Sequence, residues 1–158
     1  MEMRIDPRKV APEVFRAMFA LESAVKATGL EGNLLDLVKL RVSQINGCAY
    51  CIDMHSKDLR AEGESEERLY LLDAWRETSF YSDRERSALA WAEAVTLISH
   101  SHVPDEVYQQ ARQKFADDEL AKLTLAIVAI NGWNRFGIAF RATPGKYQPI
   151  HQHEAAMT

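Results

Sequence analysis

The chain has 158 residues, a formal net charge of −4 and 47% hydrophobic residues, with a sequence pI of about 5.7. That is the length of one domain and the composition of an ordinary globular protein. The acidic balance argues against nucleic acid or an anionic membrane surface as partner, and two cysteines are too few for a disulfide framework.

Met1 to Lys9 is polar and lacks the apolar centre of a secretory signal, so a cytoplasmic location is expected. Pro12 suits a first helical position, and Val14, Phe15, Met18, Phe19, Leu21 and Val25 follow at helical spacing. Gly29 closes that segment. Asn33 is the expected N-cap of a second helix, Leu34 to Ile45, which Asn46-Gly47 breaks. A third helix begins near Cys48 and runs to Ala61, before Gly63. Ser65 caps a fourth, through Trp75. Ser82 with Glu85 has the spacing of a capping box and opens a fifth, carrying Leu89, Trp91, Ala92 and Val95. Val103-Pro104 opens a short sixth. Asp117-Asp118-Glu119 suits the dipole at the start of a long seventh, with Leu120, Leu123, Ile127, Ile130 and Trp133. Its uncharged stretch, Leu123 to Asn134, reads as a buried helix too short to span a bilayer. No strand-period run occurs. The expected fold is all-α, with about seven helices and the cysteines at the start of a central one. A single domain would cover residues 1–142, followed by an irregular tail, 143–158.

Cys48-Ala49-Tyr50-Cys51, with His55 four residues later, carries the chemistry. Thiols at this spacing can close a local disulfide, and both cysteines of the chain sit here. On a helix, Cys48 and His55 differ by about 20° around the axis, and Cys51 lies within about 60° of Cys48 and about 40° of His55. Both sulfurs and the imidazole therefore share a face. Cys48 lies at the helix start, where free N–H groups favour a thiolate. Cys51 lies one turn from His55, which can take its proton. Cys51 is the expected peroxide-attacking sulfur and Cys48 its resolving partner, with the reverse order open. Lowering a thiol pKa from about 8.5 to about 7 raises the thiolate fraction roughly 16-fold at pH 7, but intrinsic nucleophilicity falls roughly 5-fold. A net gain of about 3-fold is too small alone. A proton must also reach the leaving oxygen, which a nearby His can deliver.

Asp36 interrupts Leu34-Leu35-Asp36-Leu37-Val38, a segment apolar almost all round. Burial there raises a carboxyl pKa toward neutrality unless a cation compensates. Lys39 and Arg41 are the candidate cations.

Leu34 to His55, with Asn131-Gly132-Trp133-Asn134-Arg135 later in the chain, closely resembles the alkylhydroperoxidase D (AhpD)-like family of the carboxymuconolactone decarboxylase superfamily. The resemblance covers most of the chain, and the Cys-x-x-Cys-x-x-x-His segment is its specific part. It implies an all-α homo-oligomer, commonly a trimer or hexamer. It implies thiol-dependent reduction of hydroperoxides, with an external dithiol as reductant and no bound cofactor. The family's relay Glu stands twelve residues before the first Cys. Asp36 occupies that position, with a reach shorter by about one methylene. Tyr50 stands where the best-known peroxidases of the family carry His. The Cys pair argues against lactone decarboxylation.

Blander readings stand beside these. Free Cys is often a small buried hydrophobe. Cys48, Cys51 and His55 could supply three zinc ligands. A c-type haem is excluded by Ile52 after Cys51. Asp36 could be a structural ion pair, and Tyr50 a packed aromatic beside the site. His100, His102, His151 and His153 read as solvated, and Trp75, Trp91 and Trp133 as core or subunit-contact residues. A redox-sensing binding protein is the alternative to an enzyme.

Overall fold

Ten helical segments and no strand make up the described part of the chain, residues 2–149 of the computed structural model. They are α1 (Pro7–Val10), α2 (Pro12–Lys26), α3 (Gly32–Asn46), α4 (Ala49–Ala61), α5 (Glu66–Tyr70), a 3-10 helix (Leu72–Glu77), α6 (Asp83–Thr96), α7 (Ile98–Ser101), α8 (Asp105–Arg112) and α9 (Asp117–Phe140). The all-α expectation holds. The count exceeds seven because α1 and α7 are single turns, too short to show a period. The expected helix from Ser65 to Trp75 is broken in two. Ala74 leaves helical geometry (φ −108°, ψ 29°), and Leu72 and Trp75 both turn into the core. Asn33 lies inside α3, whose N-cap is Glu31 without a side-chain cap bond. The Ser82–Glu85 capping box forms as expected.

α3 is the axis of the molecule. Its Leu34, Leu35, Val38 and Val42 enter one apolar cluster with α2, α6 and α9. Its Leu37 and Leu40 enter a second, with Leu59, Leu69, Leu72, Trp75, Tyr81 and Leu89. A helix buried on both sides has no solvated face for its charges, so Asp36 and Lys39 are drawn inside. α9 has the length and hydropathy of a membrane-crossing helix. Here Leu123, Ala126, Ile127, Ala129 and Ile130 instead fill the first cluster.

Gly47 joins α3 to α4. It ends α3 at φ 71°, a left-handed conformation that glycine enters without strain. The Cys48 amide then donates to the Ser43 carbonyl at 3.0 Å. This turn sets the first sulfur at the mouth of α4. Residues 143–149 carry no helix. His151 and His153 lie outside the described residues.

Candidate functional site

Cys48 is the N-cap of α4. Its carbonyl accepts from the Ile52 amide at 2.9 Å. Its sulfur lies at the open N-terminus of α4 without a side-chain cap bond, and the nearby backbone of Cys51 and Tyr50 favours its charged form. Cys51, His55 and Leu59 form the buried face of α4. Both thiols are free, 1% and 3% exposed, and each acts on the other's ionisation. The shared face read from the spacing is formed.

The pair titrates as a unit. The Cys51 thiol, the two helix N–H groups and Asn134 hold Cys48 down to about 7, against the opposing effect of burial. Cys51 is pushed up, because the Cys48 thiolate uses its proton and burial disfavours a second charge. The resting charge therefore sits on the first sulfur.

Asn134 and Gly137 were not among the residues singled out for the site. Asn134 is fully buried. Its amide donates to Ser43 Oγ at 3.0 Å and favours the charged form of both thiols, and its Oδ1 accepts from Asn46 at 2.8 Å. An Asn with every polar atom engaged in an apolar helix is a signal of the same kind as Asp36. At Gly137 a Cβ would stand 2.8 Å from Cys48 Sγ and 3.6 Å from Cys51 Sγ. Both sulfurs thus lie over one bare stretch of α9. Gly137→Ala is expected to displace Cys48 and lower stability by about 1–3 kcal/mol, the cost of overpacking. Urea unfolding and thiol titration of the variant measure both effects.

His55 is 5% exposed. Neither ring nitrogen has a hydrogen-bond partner among the described residues. The direct proton contact expected between His55 and Cys51 is therefore not made in the reduced state. The imidazole Nδ1 faces two carboxylates instead, with Asp36 Oδ1 at 3.9 Å and Asp58 Oδ2 at 4.0 Å. The gap to Asp36 is what a side chain one methylene short would leave. Burial, with Lys39 adding to it, holds His55 down to about 3, so the ring is neutral at physiological pH.

Burial pushes Asp36 up to about 6, although Lys39 opposes this. It is the group at this site poised to exchange a proton near neutrality. Of the two candidate cations, Lys39 reaches it, at 3.7 Å. Arg41 turns away to Glu93 and Asp73. Lys39 is itself buried and makes its short bond, 2.6 Å, to Glu22 of α2. Glu22 also accepts from Trp133 Nε1 at 3.3 Å. Nothing in the sequence marks Glu22, because only the α2–α3 contact supplies its role.

Tyr50 is half-buried against the first cluster, a packed aromatic. Trp75 and Trp91 are buried, and His100 and His102 are exposed. No three His, Cys, Asp or Glu side chains among the described residues lie close enough to hold a metal ion. The three-ligand zinc arrangement of Cys48, Cys51 and His55 is therefore not assembled.

Comparison with known proteins gives the chain a family. The family model described as the carboxymuconolactone decarboxylase family matches residues 12–94. The uncharacterized protein YdfG of Bacillus subtilis (strain 168) is 43% identical over 139 residues, 88% of this chain and 95% of that protein. A crystal structure from Agrobacterium tumefaciens, of a protein of unknown function linked to AhpD antioxidant defence, has a TM-score of 0.90 at 44% identity. It covers 92% of this chain and 100% of that one. An uncharacterized peroxidase-related protein from Ralstonia eutropha JMP134, with an alkylhydroperoxidase AhpD core, shares the fold at TM-score 0.77 and 22% identity, over 88% of this chain and 74% of its own. With its paired thiols on one helix face and this fold, the chain belongs to the carboxymuconolactone decarboxylase family, in its AhpD-like branch.

Proposed function

We propose that the protein reduces hydroperoxides with its Cys48–Cys51 pair. The observation that carries the reading is the pair of free, buried thiols at the mouth of α4, both within 4 Å of one point over Gly137, beside a buried imidazole and a carboxyl that burial pushes up to about 6.

The Cys48 thiolate takes the proton of the Cys51 thiol. The resulting Cys51 thiolate, less stable and more nucleophilic, attacks the terminal peroxide oxygen. The O–O bond breaks, Cys51 becomes a sulfenic acid, and the alkoxide leaves. Asp36, protonated in part near neutrality, returns a proton to that alkoxide by way of His55. Cys48, now a thiol, gives up its proton as it attacks the sulfenic sulfur, a disulfide forms, and the leaving hydroxide takes that proton to become water. An external dithiol reduces the disulfide by exchange. The charge on Cys48 favours first attack by that sulfur, and the position of Cys51 one turn from His55 favours the order written here.

The test is turnover of an organic hydroperoxide with a dithiol donor. Cys48→Ser and Cys51→Ser are each expected to lose at least about a thousandfold, the scale on which loss of a nucleophile is felt. The Cys48→Ser protein should retain a trapped sulfenate at Cys51, detected by mass spectrometry after a sulfenate-specific label. Wild-type rates in both variants would overturn the reading. A homo-oligomer belongs to the proposal as well, supported by large apolar side chains left exposed on α2 and α9, among them Phe19, Val128 and Ile138.

A further inference from the structure

The C-terminal segment lies along α4 rather than away from it. The Gly145 amide donates to Asp53 Oδ2 at 2.9 Å. Lys57 Nζ, itself bonded to Asp53 at 3.0 Å, donates to the Tyr147 carbonyl at 3.1 Å. One turn further on, the Tyr147 hydroxyl donates to Asp58 Oδ1 at 2.6 Å. The other oxygen, Oδ2, is the one that faces His55 Nδ1 at 4.0 Å.

The order along α4 is therefore thiol, imidazole, carboxylate, phenol. Cys51, His55 and Asp58 stand four and three residues apart, so each is a neighbour of the next on the helix surface. His55 is buried with two unpartnered nitrogens, and a neutral imidazole must carry its one proton on one of them. Carboxylates on the Nδ1 side favour the proton there and leave Nε2 as the free base. The charged and titratable groups facing the ring are Asp36 and Lys39 from α3, Asp58 from its own helix and, through Asp58, Tyr147. Asp58 is partly buried, which pushes its carboxyl up, while the Tyr147 bond and Lys39 pull it back down. A gap of 4.0 Å is the loose geometry that a resting site shows before a substrate tightens it.

We propose that Tyr147 is a positioning residue, which by holding Asp58 against His55 selects the ring tautomer and makes the C-terminal segment part of the site. Its bearing on catalysis rests on the relay proposed above, but its effect on the imidazole does not.

The test reads the ring nitrogens of His55 by 15N NMR in the reduced, full-length protein, with the signals identified by their loss in His55→Gln. The wild type is expected to hold the Nδ1–H form. Tyr147→Phe, which deletes a single oxygen, should lower the ratio of Nδ1–H to Nε2–H roughly five-fold, the weight of one ordinary hydrogen bond. Asp58→Ala should lower it at least as far. The double variant should go no further than Asp58→Ala, because Tyr147 acts through Asp58. An unchanged ratio in Tyr147→Phe, or a double variant equal to the sum of the singles, overturns the inference. If Asp58→Ala does not fold, Tyr147→Phe still decides. Should the wild type reduce no peroxide while the ratio responds, the proposed function fails and the inference stands. Should peroxide be reduced while the ratio stays put, the reverse holds.

Discussion

The reduced wild type is expected to show a thiol titration near 7, and the Cys48→Ser protein to lose it. The remaining thiol, Cys51, is buried. It would keep Asn134 as a donor but gain no charge-stabilising neighbour. It should titrate above the ordinary cysteine value of about 8.5, so the thiolate fraction at pH 7 falls from about one half to about 3% or less. That is a drop of at least roughly 15-fold, visible as thiolate ultraviolet absorbance and as a parallel fall in the rate of alkylation by iodoacetamide. Cys51→Ser should behave differently. Its hydroxyl still donates to the Cys48 sulfur, and the N–H groups of the α4 terminus remain in place. Its titration should stay close to neutral. The opposite pattern, with the neutral titration kept in Cys48→Ser and lost in Cys51→Ser, would place the resting charge on Cys51. It would remove the helix terminus as its cause.

Asp36→Asn should make the protein more stable and less active. Burial holds the Asp36 carboxyl up from 3.8 to about 6. Between those values the folded state binds more protons than the unfolded state, so stability falls as pH rises through the window. At neutral pH the ionised side chain withholds up to about 3 kcal/mol, the free energy of two pKa steps. Asn cannot ionise. The variant should equal the wild type near pH 4 and exceed it by about 1–3 kcal/mol near pH 8, read by urea unfolding at the two pH values. Lys39 keeps Glu22 at 2.6 Å, so the change strands no buried cation. Peroxide turnover should fall by about 10²–10⁴, the usual weight of a general acid. A variant less stable than the wild type near pH 8 would show that the 3.7 Å Lys39 pair outweighs the burial.

The relation between stability and function is visible in these residues. α3 contributes to both apolar clusters, and Asp36 is the place where its apolar pattern is interrupted. A stability-minded sequence would put a neutral side chain there. A carboxyl retained at that position at a cost in stability fits a role in moving protons.

Much of the architecture was legible in the order of residues. The long helices declare themselves by period and by punctuation. Gly47 stops α3 and Ser82 with Glu85 starts α6. The single-turn helices α1 and α7 and the break at Ala74 were not legible. One turn carries no period, and the break depends on where Leu72 and Trp75 find core to enter. At the site, spacing alone brought Cys48, Cys51 and His55 to one face, because a helix converts sequence separation directly into angle.

Local sequence determined the chemistry available to this protein: two thiols at a helix mouth, an imidazole two turns along, and a carboxyl inside an apolar run. Their working state was decided by contacts between segments far apart in the chain. Glu22 engages Lys39, Asn134 and Gly137 shape the bed of the sulfurs, and Tyr147 holds Asp58. Helical periodicity cannot encode such contacts, since they depend on which faces of α2, α4, α9 and the C-terminal segment meet. Tertiary packing brought Asp36 of α3 to within 3.9 Å of the imidazole, where the ring and the carboxyl are polar neighbours in an otherwise apolar interior.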